Sequence, residues 1–269
     1  MFVTRLLTVV IALPIFIAAL LFLPQQLWGV VLLPVLAIAG WEWAGLAGYP
    51  AGARIAYATV LVASAVVLFY LVPRATGWPV RIDIAAYALS CVFWLAVAPF
   101  WLGAGWSIRN PVLLACAGWI ALVPMWLALV QLQTAPWALL LFLSVVWVAD
   151  TAAYISGKRW GRRKLAPRIS PGKTWEGALG AAAAVGVYYI VLFILASRAD
   201  RYFDGWWGLF VFGVILALSV EGDLFESWIK RRAGVKDSGQ ILPGHGGILD
   251  RIDGLTAAMP AAALAFYLR

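Results

Sequence analysis

Apolar runs recur along the whole chain at the length of about 20 residues that a helix needs to cross a hydrocarbon core. Nine can be placed, at roughly 5–23, 27–48, 55–73, 84–102, 110–131, 136–156, 174–197, 206–229 and 248–268. Hydrophobic residues make up 64% of the 269 and charged residues 12%, far from the roughly 45–50% and 25% of soluble domains. The expected fold class is therefore all-α, an integral membrane bundle of about nine transmembrane helices. Residues 1–269 read as one membrane domain, with 1–135 as scaffold helices and 136–269 as the half that carries the motifs. The first run follows Arg5 and has the length of a signal peptide. It lacks a small-residue cleavage site and another run begins at Leu27, so a retained span is expected. The 16 Trp suit membrane interfaces. Cys91 and Cys116 lie within apolar runs and read as buried small hydrophobes rather than a disulfide or metal site. Pro14, Pro34 and Pro124 read as helix kinks.

Two connections are long, 157–173 and 231–247, and with nine spans both follow an even-numbered helix. They emerge on the side of the N-terminus. The first carries Lys158, Arg159, Arg162, Arg163, Lys164, Arg168 and Lys173 with no acidic residue, which marks that side as cytoplasmic. Arg5, Arg54, Arg109 and the five basic residues of 230–251 bring that side to 15 of the 20 Lys and Arg. The net charge of +8 thus follows from loop placement and calls for no nucleic-acid partner.

Ionisable residues are sparse until Asp150. Glu42, between Trp41 and Trp43, reads as the one intramembrane acid of the first five spans, either a structural hydrogen-bonding group or part of a site. Asp150 lies near the end of the sixth span with Tyr154 one turn on, facing a polar cavity or a helix neighbour. Ser170-Pro171 suits an N-cap and first helical position, which would put Lys173 in the first turn of the seventh span beside free N–H groups, an anion site. Gly172-Lys173-Thr174 resembles the end of a P-loop, but Pro167 stands where the pattern needs glycine and no strand precedes it.

The polar residues concentrate in Ser227 to Asp253, with Glu221, Asp223 and Glu226 just upstream. Asp223, Glu226, Ser227 and Lys230 share one helix face. Such a face forms intrahelical ion pairs, or holds a divalent cation and a phosphate together. The loop that follows is rich in glycine, whose backbone N–H groups can approach a ligand closely and bind anions. His245, the only histidine, reads as a metal ligand or acid-base group, or as a hydrogen-bonding loop residue. Asp250 and Asp253, three apart, face the same way at the start of the last span. Oxygen ligands with no cysteine suit Mg²⁺ rather than zinc.

The run Ser227-x-Ile229-Lys230-Arg231-x4-Lys236-Asp237-x-Gly239-x2-Leu242-Pro243-x-His245-Gly246-Gly247-Ile248-x-Asp250-Arg251-Ile252-Asp253 resembles the signature of the phosphatidate cytidylyltransferase (CDP-diacylglycerol synthase) family, without departure. Asp150-Thr151-x-Ala153-Tyr154 and Ser170-Pro171-x-Lys173-Thr174-x-Glu176-Gly177 are similar to further segments of that family. The resemblance covers about the last 120 residues. It implies the reaction CTP + phosphatidate → CDP-diacylglycerol + pyrophosphate, a divalent metal, a site at the cytoplasmic face of the inner membrane, and a homodimer.

The residues suit that chemistry. Phosphatidate already carries an anionic oxygen, so the difficulty is bringing it against a triphosphate of the same sign. Mg²⁺ held by Asp223 and Asp250, with Asp253 and Asp150 as further or water-mediated ligands, would neutralise the phosphates. Lys173, Lys230, Arg231, Lys236 and Arg251 would surround the triphosphate with positive charge. Ser227, Asp237, His245, Gly246 and Gly247 complete the expected nucleotide site. Other phospholipid or prenyl enzymes are disfavoured by the absence of an Asp-Gly-x2-Ala-Arg run and of paired Asn-Asp-x2-Asp stretches. A transporter would place charges midway along its helices; here they gather near one end.

Overall fold

The computed structural model describes residues 13–71, 82–106, 108, 110–195, 205–241, 244 and 246–268. Among them are nine helices: α1 (Leu13–Phe22), α2 (Gln25–Leu46), α3 (Ala51–Leu71), α4 (Ile82–Ala104), α5 (Pro111–Leu132), α6 (Pro136–Trp160), α7 (Trp175–Leu195), α8 (Gly205–Arg232) and α9 (Leu249–Tyr267). Seven of them, α2 to α8, are long and apolar enough to cross a membrane. Each helix falls on one of the nine apolar runs. Helix α1 is shorter over its described part, and α9 opens on Asp250, Arg251 and Asp253. The start of the first expected span, with Arg5, lies outside the described residues, as do Arg74, Arg81, Arg109, Arg198, Arg201 and Arg269.

Local chemistry sets the boundaries. Pro111 opens α5, and the Asn110 side chain accepts from Val112 N (2.9 Å) and Leu113 N (3.4 Å), an N-cap closing orphan donors. Pro34 and Pro124 sit inside continuous helices. In α4 a π turn spans Phe93–Val97 just before Pro99, which has no N–H to give the preceding turn. Asp83 is fully buried in the first turn of α4, so Glu42 is not the only acid within the first five helices.

The aromatic residues divide between surface and core. Trp28, Trp43 and Trp94 are among the largest fully buried side chains, which corrects a purely interfacial reading. The indoles of Trp28 and Trp43 donate to Leu129 O (3.0 Å) and Leu114 O (2.8 Å), tying α2 to α5. Cys91 is buried, but Cys116 is exposed on α5, and both are free. On α8, Phe225 is fully buried within 5.5–6.4 Å, ring to ring, of Trp43, Phe93, Trp94, Trp101 and Trp228. That cage fixes the rotation of α8 about its axis and so aims the polar face that flanks Phe225.

Between α6 and α7 lies an antiparallel hairpin, β1 (Lys164–Ala166) and β2 (Ser170–Thr174), the one departure from all-α among the described residues. Its turn carries Pro167 at the second position, closed by Ile169 N on Ala166 O at 3.1 Å. The expected N-cap at Ser170 is therefore replaced: residues 170–174 are extended, and Thr174 caps α7 by accepting from Gly177 N at 3.1 Å. Glu176 accepts from Arg162 N (3.0 Å) and Arg163 N (3.2 Å), holding the hairpin against the start of α7.

Helices α6 and α7 meet where glycine allows it. A Cβ at Gly177 would lie 2.9 Å from Ala153 O, and one at Gly180 would overlap Ser156 Oγ. Small residues at membrane helix contacts let backbones approach this closely. Gly177→Leu is expected to lower stability by about 2 kcal/mol, the scale of overpacking a filled contact, read as a lower unfolding temperature in detergent.

Candidate active site

Helix α8 carries the site on the face opposite its aromatic cage. Asp223 stands nine residues before Arg232, so its carboxylate lies about 13 Å short of the helix end. Asp150 is similarly recessed, because α6 runs on to Trp160 rather than ending near residue 156. The charges expected at the bundle's rim are sunk below it. Lys173, on β2, reaches down to them: its Nζ lies 2.7 Å from Asp223 Oδ2 and donates to Val220 O at 3.2 Å. It therefore belongs to the hairpin and not to the first turn of a helix. Asp150, Tyr154 and Lys158 of α6, Leu165, Ser170 and Lys173 of the hairpin, and Val220 and Asp223 of α8 line a cavity of about 450 Å³. Ser227 donates to the other oxygen of Asp223 at 3.2 Å.

One turn further along α8, Lys230 is buried between two acids. Its Nζ lies 2.6 Å from Glu226 Oε2 and 2.5 Å from Asp250 Oδ1. The first is the intrahelical pair that the spacing allows; the second crosses to α9. Glu226 is 2% exposed, and its Oε1 has no hydrogen-bond partner among the described residues.

Asp250 is the most heavily engaged acid of the set. Beside Lys230, its Oδ2 accepts from Ser238 N (2.9 Å), Ser238 Oγ (3.0 Å) and Gly247 N (2.8 Å). Both ends of the glycine-rich loop thus close on one carboxylate. Glu42 of α2 completes the closure by accepting from Ser238 Oγ (3.0 Å), Ile248 N (3.2 Å) and Leu249 N (2.8 Å). The glycines serve these acids. A Cβ at Gly239 or Gly247 would overlap the Glu42 carboxylate, and Gly246 combines φ +82° with a Cβ position 2.6 Å from Asp250 Oδ2. The loop N–H groups of Ser238 and Gly247, expected to be open to an anion, are already given to Asp250.

The other expected site residues divide. Arg231 faces the hairpin, donating from Nε to Ile169 O at 3.4 Å and from Nη1 to Val235 O at 3.3 Å. The two long connections therefore meet at one end of the bundle, as the span parity required. Lys236, Asp237 and Arg251 are exposed around that end. Asp253 accepts from Gly254 N at 2.7 Å beside the close approach of α8 and α9 at Gly222, where a Cβ would lie 2.5 Å from Asp253 O. His245 lies outside the described residues.

Asp223 and Asp250, expected to share an ion, have different partners here, lysine 173 for one and lysine 230 with the loop for the other. Among the described residues no three Asp, Glu, His or Cys side chains form a ready metal cage. Sequence reasoning read Glu226 on a face of ion pairs or cation-holding acids and Glu42 as a structural group or part of a site, and gave Ser238 no role. Ser238 gave no signal, standing at an open position of the motif between Asp237 and Gly239.

A bundle of membrane-crossing helices with acids and lysines recessed at one end is a membrane protein with a polar site for charged ligands. Residues 3–268 match the model of the Cytidylyltransferase family, and the chain belongs to that family. It is accordingly a nucleotidyltransferase. A phosphatidate cytidylyltransferase of Pseudomonas aeruginosa is 37% identical over 266 residues, spanning 96% of this chain and 94% of that protein. Proteins of the same name from Brucella suis and Haemophilus influenzae are 51% and 49% identical over 122 and 126 residues, each match spanning 45% of this chain and 43% of the relative.

Removing Lys230 leaves two buried acids facing one another. Lys230→Met is expected to destabilise the fold by about 3 kcal/mol, as breaking a buried pair does. Adding Glu226→Gln should restore part of the loss, and denaturation of the single and double variants in detergent measures both.

Proposed function

We propose that this enzyme joins phosphatidate to the cytidylyl group of CTP, giving CDP-diacylglycerol and pyrophosphate, at the cytoplasmic face of a bacterial inner membrane. The cavity in which Asp150, Lys173 and Asp223 meet below the helix ends carries this reading. It offers charge to a phosphate, while Tyr154 in its wall, 67% exposed, suits an acyl chain. The relatives' name supplies the substrate pair. The exposed Arg159, Arg162, Arg163, Lys164 and Arg168 favour the cytoplasmic side.

In the proposed step, a phosphate oxygen of phosphatidate attacks the α-phosphorus of CTP, and the bond to the β-phosphate's bridging oxygen breaks as pyrophosphate leaves. The nucleophile is anionic already and needs no base. Lys173 orients the lipid phosphate, and Lys236 on the glycine-rich loop meets the triphosphate as a point charge, with Arg231 and Arg251 at the rim.

The donor set fits a divalent cation. Three carboxylates, Asp223, Glu226 and Asp250, pair with two buried or half-buried ammonium groups, Asp150 shares the cavity with Asp223, and one oxygen of Glu226 is unpartnered among the described residues. All donors are oxygens, as Mg²⁺ prefers. Asp223 and Asp250 would hold the ion, with Asp253 and Asp150 as further or water-mediated ligands. When bound, the ion supplies neutralisation of the triphosphate and of the departing pyrophosphate.

Purified protein in detergent should convert CTP and phosphatidate to CDP-diacylglycerol and pyrophosphate in equal amounts; no CTP-dependent lipid product would overturn the proposal. Asp223→Asn should lower kcat by about a hundredfold or more, the scale of losing one charge-stabilising group. Lys236→Ala should instead act mainly by raising the KM for CTP. Chelation with EDTA should abolish turnover and added Mg²⁺ restore it.

A further inference from the structure

Helix α9 begins without a cap of its own. Its N-cap position is Ile248, whose side chain accepts nothing, yet a helix start presents N–H groups that need acceptors and a dipole that favours negative charge. Glu42 supplies both from another helix, with its carboxylate on Ile248 N and Leu249 N. The same carboxylate takes the Ser238 hydroxyl, whose single proton it shares with Asp250. Glu42 is 1% exposed, so these bonds form away from water, where an unmet partner is most harmful.

Lys236 and Asp237 directly precede Ser238, and Asp250 lies in the first turn of α9. Whatever holds Ser238 and the start of α9 therefore sets where Lys236 and Asp250 stand. Among the described residues, the cavity around Asp150 and Lys173 is by contrast lined by none from α2, α9 or the glycine-rich loop.

We propose that Glu42 is a positioning residue for CTP: acting through Ser238 and the N-terminus of α9, it holds the glycine-rich loop in its nucleotide-binding form and leaves lipid binding untouched. This rests on the functional reading above. A merely structural Glu42 would affect stability and both substrates alike.

The test is steady-state kinetics in detergent, varying CTP and phosphatidate separately, on wild type, Glu42→Gln and Ser238→Ala. Glutamine keeps the size of Glu42 but turns an amide toward N–H donors, and Ser238→Ala cuts the link without altering α2. The KM for CTP should rise about tenfold in Glu42→Gln and about threefold in Ser238→Ala, the factors expected from losing charge-assisted hydrogen bonds. The KM for phosphatidate should stay within about twofold of wild type, a difference too small to count as a lost contact. Unchanged CTP dependence in Ser238→Ala, or equal shifts for both substrates, overturns the inference, and Ser238→Ala decides alone if Glu42→Gln does not fold. A wild type inert toward CTP refutes the functional reading and carries this inference down with it.

Discussion

The Asp250 carboxylate is the interaction on which the rest of the site depends. A negative charge close to a membrane interior is tolerated only when it is fully paired and hydrogen-bonded. Asp250 meets that demand with donors from three places: Lys230 on α8, Ser238 at one end of the loop and Gly247 at the other. Satisfying one charge thus fixes the distance between two helices and folds the connection that joins them. Glu42 repeats the solution one layer out, and the pair share Ser238. Two acids that would repel in isolation are held together by the donors between them.

The apolar side of the bundle performs the complementary task. A helix that is free to rotate cannot present a polar face reliably, and α8 is stopped from rotating by the rings around Phe225. Asp223 and Glu226 flank Phe225 in sequence, so packing on one side dictates aim on the other. The hairpin is set similarly by Glu176 below and Arg231 across its turn, which gives Lys173 a fixed platform from which to reach down to Asp223.

Much of this was legible because membrane solvation restricts the alternatives. Apolar runs located the nine helices of the described residues, and helical spacing put Asp223, Ser227 and Lys230 on one face. The misreadings have a common origin in long-range partners. Nothing local distinguishes Ser170-Pro171 before a helix from the same pair in a hairpin strand; the choice is made by β1 and by Thr174 as the cap. The glycines of the motif loop look like ligand contacts until carboxylates 196 to 207 residues apart in sequence from their donors, or on the next helix, are found to fill the space. Likewise, where α6 ends decides whether Asp150 stands at the rim or below it.

Lysine 173 on Asp223 also gives the resting site a character of its own. An acid left bare at this depth would draw water and ions continually; with an internal counterion in place, the pocket is close to neutral before anything arrives. On the proposed reaction, binding a phosphate is then an exchange of partners, the Lys173 ammonium turning from Asp223 to the incoming oxygens. Part of the attraction is spent on that swap, so occupancy is weaker than the charges alone suggest. The same lysine is ready to reclaim its carboxylate as the products depart, and turnover gains on release what it gave up on capture.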